Sequence, residues 1–195
     1  SSGAGAGAVF EDAAGGGAWN LISTFTSDGS DATAEFTSGI DSTYKKYVFE
    51  FINIHPETDN VDFTFNVSID GGSNYNVAKQ STFNRMFHDE ADTSTSLMYH
   101  TGFDLSNGTG EQPISTEMGA DNDQVFSGIM YLYNPADTTY QKNYWLKATG
   151  STYHDHNGTC EAGGYINTTS AVDAVRFMYD SGEIQGGIIK MYGIT

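Results

Sequence analysis

Apolar and polar residues alternate with a period of two through most of the chain after residue 18, and this pattern predicts β-strands. The clearest case is Asp62–Ile69, where one face carries Phe63, Phe65, Val67 and Ile69. The opposite face carries only aspartate, threonine, asparagine and serine. We expect the apolar face to be buried, at about 2 kcal/mol for each side chain, and the polar face to meet solvent.

The same alternation, interrupted by glycine, asparagine and aspartate turns, predicts strands along the rest of the chain. These are Trp19–Thr26, Ala32–Phe36, Tyr44–Ile54, Asn76–Phe87, Leu97–Phe103, Val125–Tyr133, Lys142–Thr149, a glycine-rich strand ending at Tyr165 and Ile166, Ala171–Tyr179 and Gly187–Ile194. The segment Tyr44–Ile54 is apolar on both sides, which predicts a central strand. Residues 88–124 are otherwise expected to be irregular, and no segment has the apolar periodicity and caps of a helix.

Two turns are expected to form hairpins. Asp70-Gly71-Gly72-Ser73 predicts a hairpin with Asn76–Phe87 as its return strand, and Ser181-Gly182 is expected to join the last two strands. The sequence therefore predicts an all-β fold: a two-sheet antiparallel sandwich, jelly-roll-like, with nine or ten strands. We expect residues 1–18 to form an extended glycine/alanine-rich N-terminal arm and residues 19–195 to form a single β-sandwich domain.

Charge and cysteine content narrow the classes of partner. The formal net charge is −17, and the eight basic residues are scattered, which argues against binding to nucleic acid or to an anionic membrane. Ser1–Ala8 lacks the basic and apolar regions of a signal peptide, so none is expected. Cys160 is the only cysteine, and we expect it to be a buried small residue.

Three polar segments could hold a metal ion. His154-Asp155-His156, followed by Cys160, resembles a transition-metal cluster, although a third ligand is not supported. His88-Asp89-Glu90 with Asp92, and Asp121-Asn122-Asp123, could offer carboxylate oxygens to calcium, but neither has the spacing of a dedicated calcium loop. Loop polarity explains all three segments better, so no metal and no cofactor is expected.

No catalytic constellation stands out. The nucleophile elbow and the phosphate-binding glycine loop are absent, and among 25 acidic residues no pair can be nominated for glycoside hydrolysis. The chain is therefore not expected to be an enzyme. A sugar-stacking platform could include Tyr131 and Tyr133, with Tyr144 and Tyr153 in nearby segments, but core or interface roles explain these aromatic residues better.

Several sequence blocks have a distinctive combination of residues. They are Thr37–Tyr44 leading into Tyr47–Pro56, Leu132–Pro135 with Thr138–Tyr140, Gly163–Ala171, and Ser181–Ile194. Together they resemble a family of small jelly-roll structural proteins in the virions of tailed phages of aquatic bacteria. The resemblance extends from about Trp19 to Ile194. The family has no catalytic residues, so the resemblance implies none in this chain.

The resemblance implies a virion component, made in the cytoplasm of the bacterial host and exposed on the particle surface. The favoured expectation is a capsid decoration or cement protein that forms a homo-oligomer, with a trimer as the first guess, and binds the major capsid protein or other virion proteins. The assembly residues expected in the arm are Val9, Phe10, Gly15, Gly16 and Gly17, because glycine permits close backbone approach and strand addition. The alternative is a tail fibre, tailspike or adaptor that binds a host glycan or receptor. A carbohydrate-active enzyme or lectin outside any virion is the least favoured option.

Overall fold

Residues 18–195 are described by the computed structural model, and they fold into β-strands without any helix. The strands are β1 (Trp19–Thr26), β2 (Ala34–Phe36), β3 (Lys46–Pro56), β4 (Val61–Ser68), β5 (Lys79–Asp89), β6 (Thr95–Tyr99), β7 (Gln112–Met118), β8 (Phe126–Tyr133), β9 (Lys142–Ser151), β10 (His156–Ile166), β11 (Ala174–Tyr179) and β12 (Ile184–Ile194). The predicted all-β class is confirmed. In this part of the chain there is no helix of the length and apolarity that crossing a membrane requires.

The strands form two antiparallel sheets that pack face to face. The larger sheet has eight strands in the order β1-β12-β3-β8-β9-β10-β5-β6, and the smaller has four in the order β2-β11-β4-β7. Strands β2 to β5 alternate between the two sheets. This is a jelly-roll arrangement in which β1-β12-β3-β8 faces β2-β11-β4-β7, and β9, β10, β5 and β6 extend the larger sheet beyond β8. The predicted jelly-roll-like sandwich is therefore confirmed.

The core lies between the sheets and is rich in phenylalanine. Phe177 of the smaller sheet lies 5.1 Å, centroid to centroid, from both Phe49 and Phe51 of the larger sheet, in edge-to-face geometry. Phe63 and Phe126 are packed in the same cluster, 5.1 Å apart. Such pairs add about 0.5–1.5 kcal/mol each to the stabilisation from burial, so this cluster fixes how the sheets pack.

Residues 18–195 form twelve strands, so the expected nine or ten was an underestimate. The missed strand is β7, which lies in the segment predicted to be irregular. Its polar residues Gln112, Ser115 and Thr116 are buried, so the strand shows no alternation of apolar and polar residues. The strand expected at Leu97–Phe103 is β6, which begins and ends earlier in the chain.

Both predicted hairpins are wrong. Gly71 and Gly72 do adopt positive φ angles of 71° and 88°, but the chain crosses here from β4 in the smaller sheet to β5 in the larger sheet. The turn at Ser181-Gly182 likewise connects β11 and β12, which belong to different sheets. The glycines determine where the chain bends, whereas core packing determines which strand becomes the partner.

The polar face predicted for β4 does not meet solvent. Thr64, Asn66 and Ser68 are all buried, whereas Ile69, which was expected in the core, is 42 % exposed. The segment that precedes β7 covers this face, and the Asn66 side chain donates a hydrogen bond to the carbonyl of Thr109 at 3.1 Å. The buried asparagine places a polar cluster at one side of the sandwich.

The N-terminal arm falls almost wholly outside the described residues. Val9, Phe10, Gly15, Gly16 and Gly17, the residues expected to make assembly contacts, all precede residue 18. The expectation for the arm therefore stays a prediction. The structure does define the start of the domain, because Trp19 of β1 pairs with Ile194 of β12 at the edge of the larger sheet.

Candidate functional site

The three polar segments that could hold a metal ion do meet at one end of the sandwich. They border a pocket of about 360 Å³ between the β5–β6 turn, the approach to β8 and the β9–β10 turn. Its lining residues are His88, Asp89, Glu90, Asp123, Gln124, Ser151, Asp155, His156 and Asn157. The topology thus brings together residues that are up to about 70 positions apart in the sequence.

Several polar groups of this pocket are engaged with neighbouring side chains and backbone groups. The Asp89 carboxylate accepts hydrogen bonds from Thr93 and Ser94, and those bonds lower its pKa to about 2. Asp92 pairs with His88 at 3.0 Å, and the His156 ring stacks on Phe87. Within residues 18–195 no group of three or more histidine, cysteine, aspartate or glutamate side chains is placed to hold a metal ion.

Cys160 does not take part in this pocket. Its side chain is 3 % exposed and its sulfur contacts the Thr116 hydroxyl at 3.6 Å, so the prediction of a buried small residue is confirmed. Burial also raises the pKa of the thiol, which disfavours the thiolate that a metal would need. His154 and His156 lie near each other, with ring centroids 5.4 Å apart.

A row of aromatic side chains lies on the outer face of the larger sheet. Tyr131 stacks on Tyr133 of the same strand at 6.3 Å and on Trp145 of β9 at 5.7 Å. The Trp145 Nε1–H donates to the Glu161 carboxylate at 3.0 Å, and the Lys46 ammonium lies 5.7 Å from the Tyr131 ring centroid. We call Tyr131, Tyr133 and Trp145 the aromatic row.

Of the four tyrosines considered for a sugar-stacking platform, only Tyr131 and Tyr133 belong to this row. Tyr144 is 2 % exposed, points into the core and donates a hydrogen bond to Gln112 at 3.1 Å. Tyr153 stacks on His154 in the β9–β10 turn. Trp145, which sequence reasoning assigned only to a strand, joins the row because residues opposite each other on neighbouring strands share a face.

An apolar depression of about 500 Å³ also lies on the outer face of the larger sheet. Its lining residues are Met86, Ser127, Gly128, Ile129, Lys147, Ala148, Thr149 and Thr159, from four neighbouring strands. The two edges of the sheet expose further apolar side chains, Trp19 and Leu21 on β1, and Leu97 and Tyr99 on β6. Leu97 is the most exposed of these four side chains, at 75 %.

Two polar clusters escaped the sequence analysis. In the first, Arg85 contacts Glu117 from the other sheet, and the pair lies close to the carboxylate of Asp62. Burial raises the pKa of Asp62 to about 6, while the hydrogen bond from Arg85 lowers the pKa of Glu117. Glu117 has a φ of +55°. A residue other than glycine adopts this backbone conformation only when the surrounding structure holds it there.

The second cluster consists of Asn66, Lys79 and Glu111. Lys79 is completely buried, and its ammonium group donates to the Asn66 side chain at 2.5 Å. Local alternation placed Asn66 on a solvent face, and nothing near Lys79 in the sequence marks it as buried. The contact depends on the crossing between sheets, so no local sequence pattern could have revealed it.

Comparison with known proteins gives no relative. No family model, no curated protein and no solved structure matches the chain.

Proposed function

We propose that the chain is a structural protein of a tailed-phage virion, and that it acts as a capsid decoration or cement protein. The observation that carries the proposal is the apolar surface on the outer face and both edges of the larger sheet. Exposed apolar groups that recur across one face mark an interaction surface. The resemblance of the sequence blocks to virion proteins supports the same assignment.

Under this proposal, both edge strands of the larger sheet take part in assembly. Edge strands offer unpaired backbone groups, and here they also carry Trp19 and Leu21 on β1 and Leu97 and Tyr99 on β6. Symmetric contacts through such edges would give a homo-oligomer, and a trimer suits the local symmetry of many shells. Residues 1–17 precede β1 directly, so the arm enters the domain beside one of these edges and would extend toward the capsid protein.

The oligomer is tested by substituting one exposed leucine. Leu97→Asp on the β6 edge is expected to dissociate the oligomer in sedimentation experiments, because a carboxylate cannot be buried there without a partner. Tyr140→Asp is the matched control, since Tyr140 is 71 % exposed but lies in the β8–β9 loop. A wild-type chain that sediments as a monomer at all concentrations would contradict self-assembly through the sheet edges.

The arm is tested separately with capsids that lack the decoration protein. A variant without residues 1–17 is expected to lose occupancy on such capsids while the domain keeps its fold, measured by circular dichroism. Undiminished occupancy would refute the role of Val9, Phe10 and the glycines Gly15, Gly16 and Gly17. The deletion leaves β1 complete, so a loss of binding would not come from an unfolded sheet edge.

A second candidate function is recognition of a host-surface glycan by a fibre, tailspike or adaptor. The aromatic row favours it, because Tyr133 at its end is 39 % exposed and Glu161 beside Trp145 provides a hydrogen-bond acceptor for hydroxyl groups. The rings stack mainly on one another, however, and this leaves fewer free ring faces for sugars. Binding on a glycan array that Trp145→Ala abolishes and Tyr140→Ala preserves would favour this second function over decoration.

A further inference from the structure

Lys79 and Asn66 lie against each other in the interior, on the side of β4 that the segment before β7 covers. Asn66 belongs to β4 of the smaller sheet, Lys79 begins β5 of the larger one, and neither side chain is more than 1 % exposed. The Lys79 Nζ lies 2.5 Å from the Asn66 Oδ1. Because a C=O bond is about 1.2 Å long, Nζ is within about 3.7 Å of the amide carbon Cγ, close to the separation of a reactive pair.

The charge of Lys79 is poorly compensated at this site. Its ammonium group donates to Asn66 and to the Val77 carbonyl at 3.1 Å, and neither acceptor is ionised. The nearby Glu111 carboxylate accepts instead from Arg176 at 2.7 Å. Burial therefore lowers the pKa of Lys79 to about 8, so a substantial fraction of the amine is neutral and nucleophilic near that pH.

The amide of Asn66 is held by groups that would assist attack on its carbon. The backbone N–H of Val67 donates to Oδ1 at 2.9 Å, where negative charge would develop. The Nδ2 group donates to the Oε1 atom of Glu111 at 3.3 Å. The second oxygen of Glu111, Oε2, is buried and has no hydrogen-bond partner among residues 18–195. A carboxylate oxygen is therefore free to accept a proton beside the reacting amide.

We propose that Lys79 and Asn66 join in an intramolecular isopeptide bond, with Glu111 as the group that transfers the proton. The neutral Nζ attacks Cγ, and the Nζ–Cγ bond forms as the C=O pair moves onto Oδ1 beside the Val67 N–H. Glu111 takes a proton from Nζ and gives it to Nδ2. The Cγ–Nδ2 bond then breaks, ammonia leaves and the C=O bond is restored. The step is a transamidation that needs no oxidant, metal or cofactor.

The bond would tie the two sheets together where the chain crosses between them. It links positions 13 residues apart and closes a covalent loop around the turn at Asp70. A cross-link of this kind restricts the unfolded chain in the manner of a disulfide, but it resists reduction. The inference does not depend on the proposed function, because it concerns chemistry inside the domain.

The experiment is mass spectrometry of the purified full chain, kept at a pH of about 8 until its mass stops changing. Loss of ammonia lowers the mass by about 17 Da relative to the sequence. Digestion before aspartate residues cuts the loop at Asp70, and the fragment with Asn66 is expected to remain joined to the fragment with Lys79. A succinimide at Asn66 has the same mass loss, but its two fragments would separate.

Two variants test whether the loss of ammonia depends on Glu111 and not simply on any buried lysine. Glu111→Gln removes the proton acceptor and is expected to keep the full mass of its own sequence, or to lose ammonia at least ten-fold more slowly. Lys142→Met is the matched control, because Lys142 is also buried but donates to the Thr168 carbonyl rather than to an amide side chain. Wild-type chain that retains its full mass, or whose Asn66 and Lys79 fragments separate after digestion, would overturn the proposal.

Discussion

Replacing Asp62 by asparagine is expected to stabilise the domain at neutral pH. The Asp62 carboxylate lies near Asp180 and Glu117, and among residues 18–195 Arg85 provides the opposite charge. Its Oδ1 atom accepts the backbone N–H of Glu117 at 2.8 Å, and an asparagine oxygen can accept the same bond. Asp62→Asn therefore removes a poorly solvated charge while it keeps the hydrogen bond and the shape of the side chain.

The size of this stabilisation follows from the raised pKa of Asp62. Burial moves this pKa from 3.8 to about 6 in the folded protein, so between these values the folded state binds more protons than the unfolded state. Stability consequently falls as the pH rises through that window. About two pH units at 1.36 kcal/mol each give about 3 kcal/mol, and because the pKa of about 6 already includes the attraction to Arg85, this is the gain expected for Asp62→Asn at neutral pH.

The assay is urea unfolding followed by the fluorescence of Trp19 and Trp145, at a pH above 7 and again near 4. The stability difference between Asp62→Asn and wild type is expected to shrink by about 2 kcal/mol at the lower pH, where wild-type Asp62 is protonated in the fold. Asp123→Asn, in an exposed loop, is the control and should stay within about 0.5 kcal/mol of wild type at both values. A difference for Asp62→Asn that does not depend on pH would refute the reasoning.

Two further substitutions test the inter-sheet ion pair and the last strand. Glu117→Gln removes the carboxylate that pairs with Arg85, which is only 5 % exposed. The free energy of unfolding in urea is expected to fall by about 3 kcal/mol, and a fall of less than about 1 kcal/mol would show that the pair is dispensable. Gly187→Ala places a methyl group 2.7 Å from the backbone oxygen of Asn53 at a φ of 113°, so it should lower the melting temperature sharply. Gly71→Ala, with φ of 71° and open space around it, should cost only about 1 kcal/mol, and equal effects of the two would contradict the steric argument.

The strands were predictable wherever one face is apolar and the other polar. Trp19–Thr26 is reproduced residue for residue, and Val125–Tyr133 is correct to within one residue. Strand β7 was not predictable, because buried glutamine, serine and threonine interrupt its alternation. The pairing of strands could not be predicted either, because the turn at Asp70 has the same sequence pattern whether the chain folds back within one sheet or crosses to the other.

The candidate sites were predictable only as separate segments. The sequence marked His88–Asp92, Asp121–Asp123 and His154–His156 as polar, but the pocket that unites them exists only after the sheets have formed. The pair Lys79 and Asn66 was missed for a related reason. A buried lysine has no local sequence pattern, because its burial depends on strands and loops that pack against it from elsewhere in the chain.

We propose that this chain is a stoichiometric structural part of a phage particle. The most direct measurement is the amount of the chain that sediments with particles on a density gradient, counted against the major capsid protein by quantitative mass spectrometry. We expect hundreds of copies in each particle, because a decoration protein covers the whole capsid surface. A chain that stays at the top of the gradient, away from every particle, would contradict the claim, and a handful of copies would favour the fibre or adaptor instead.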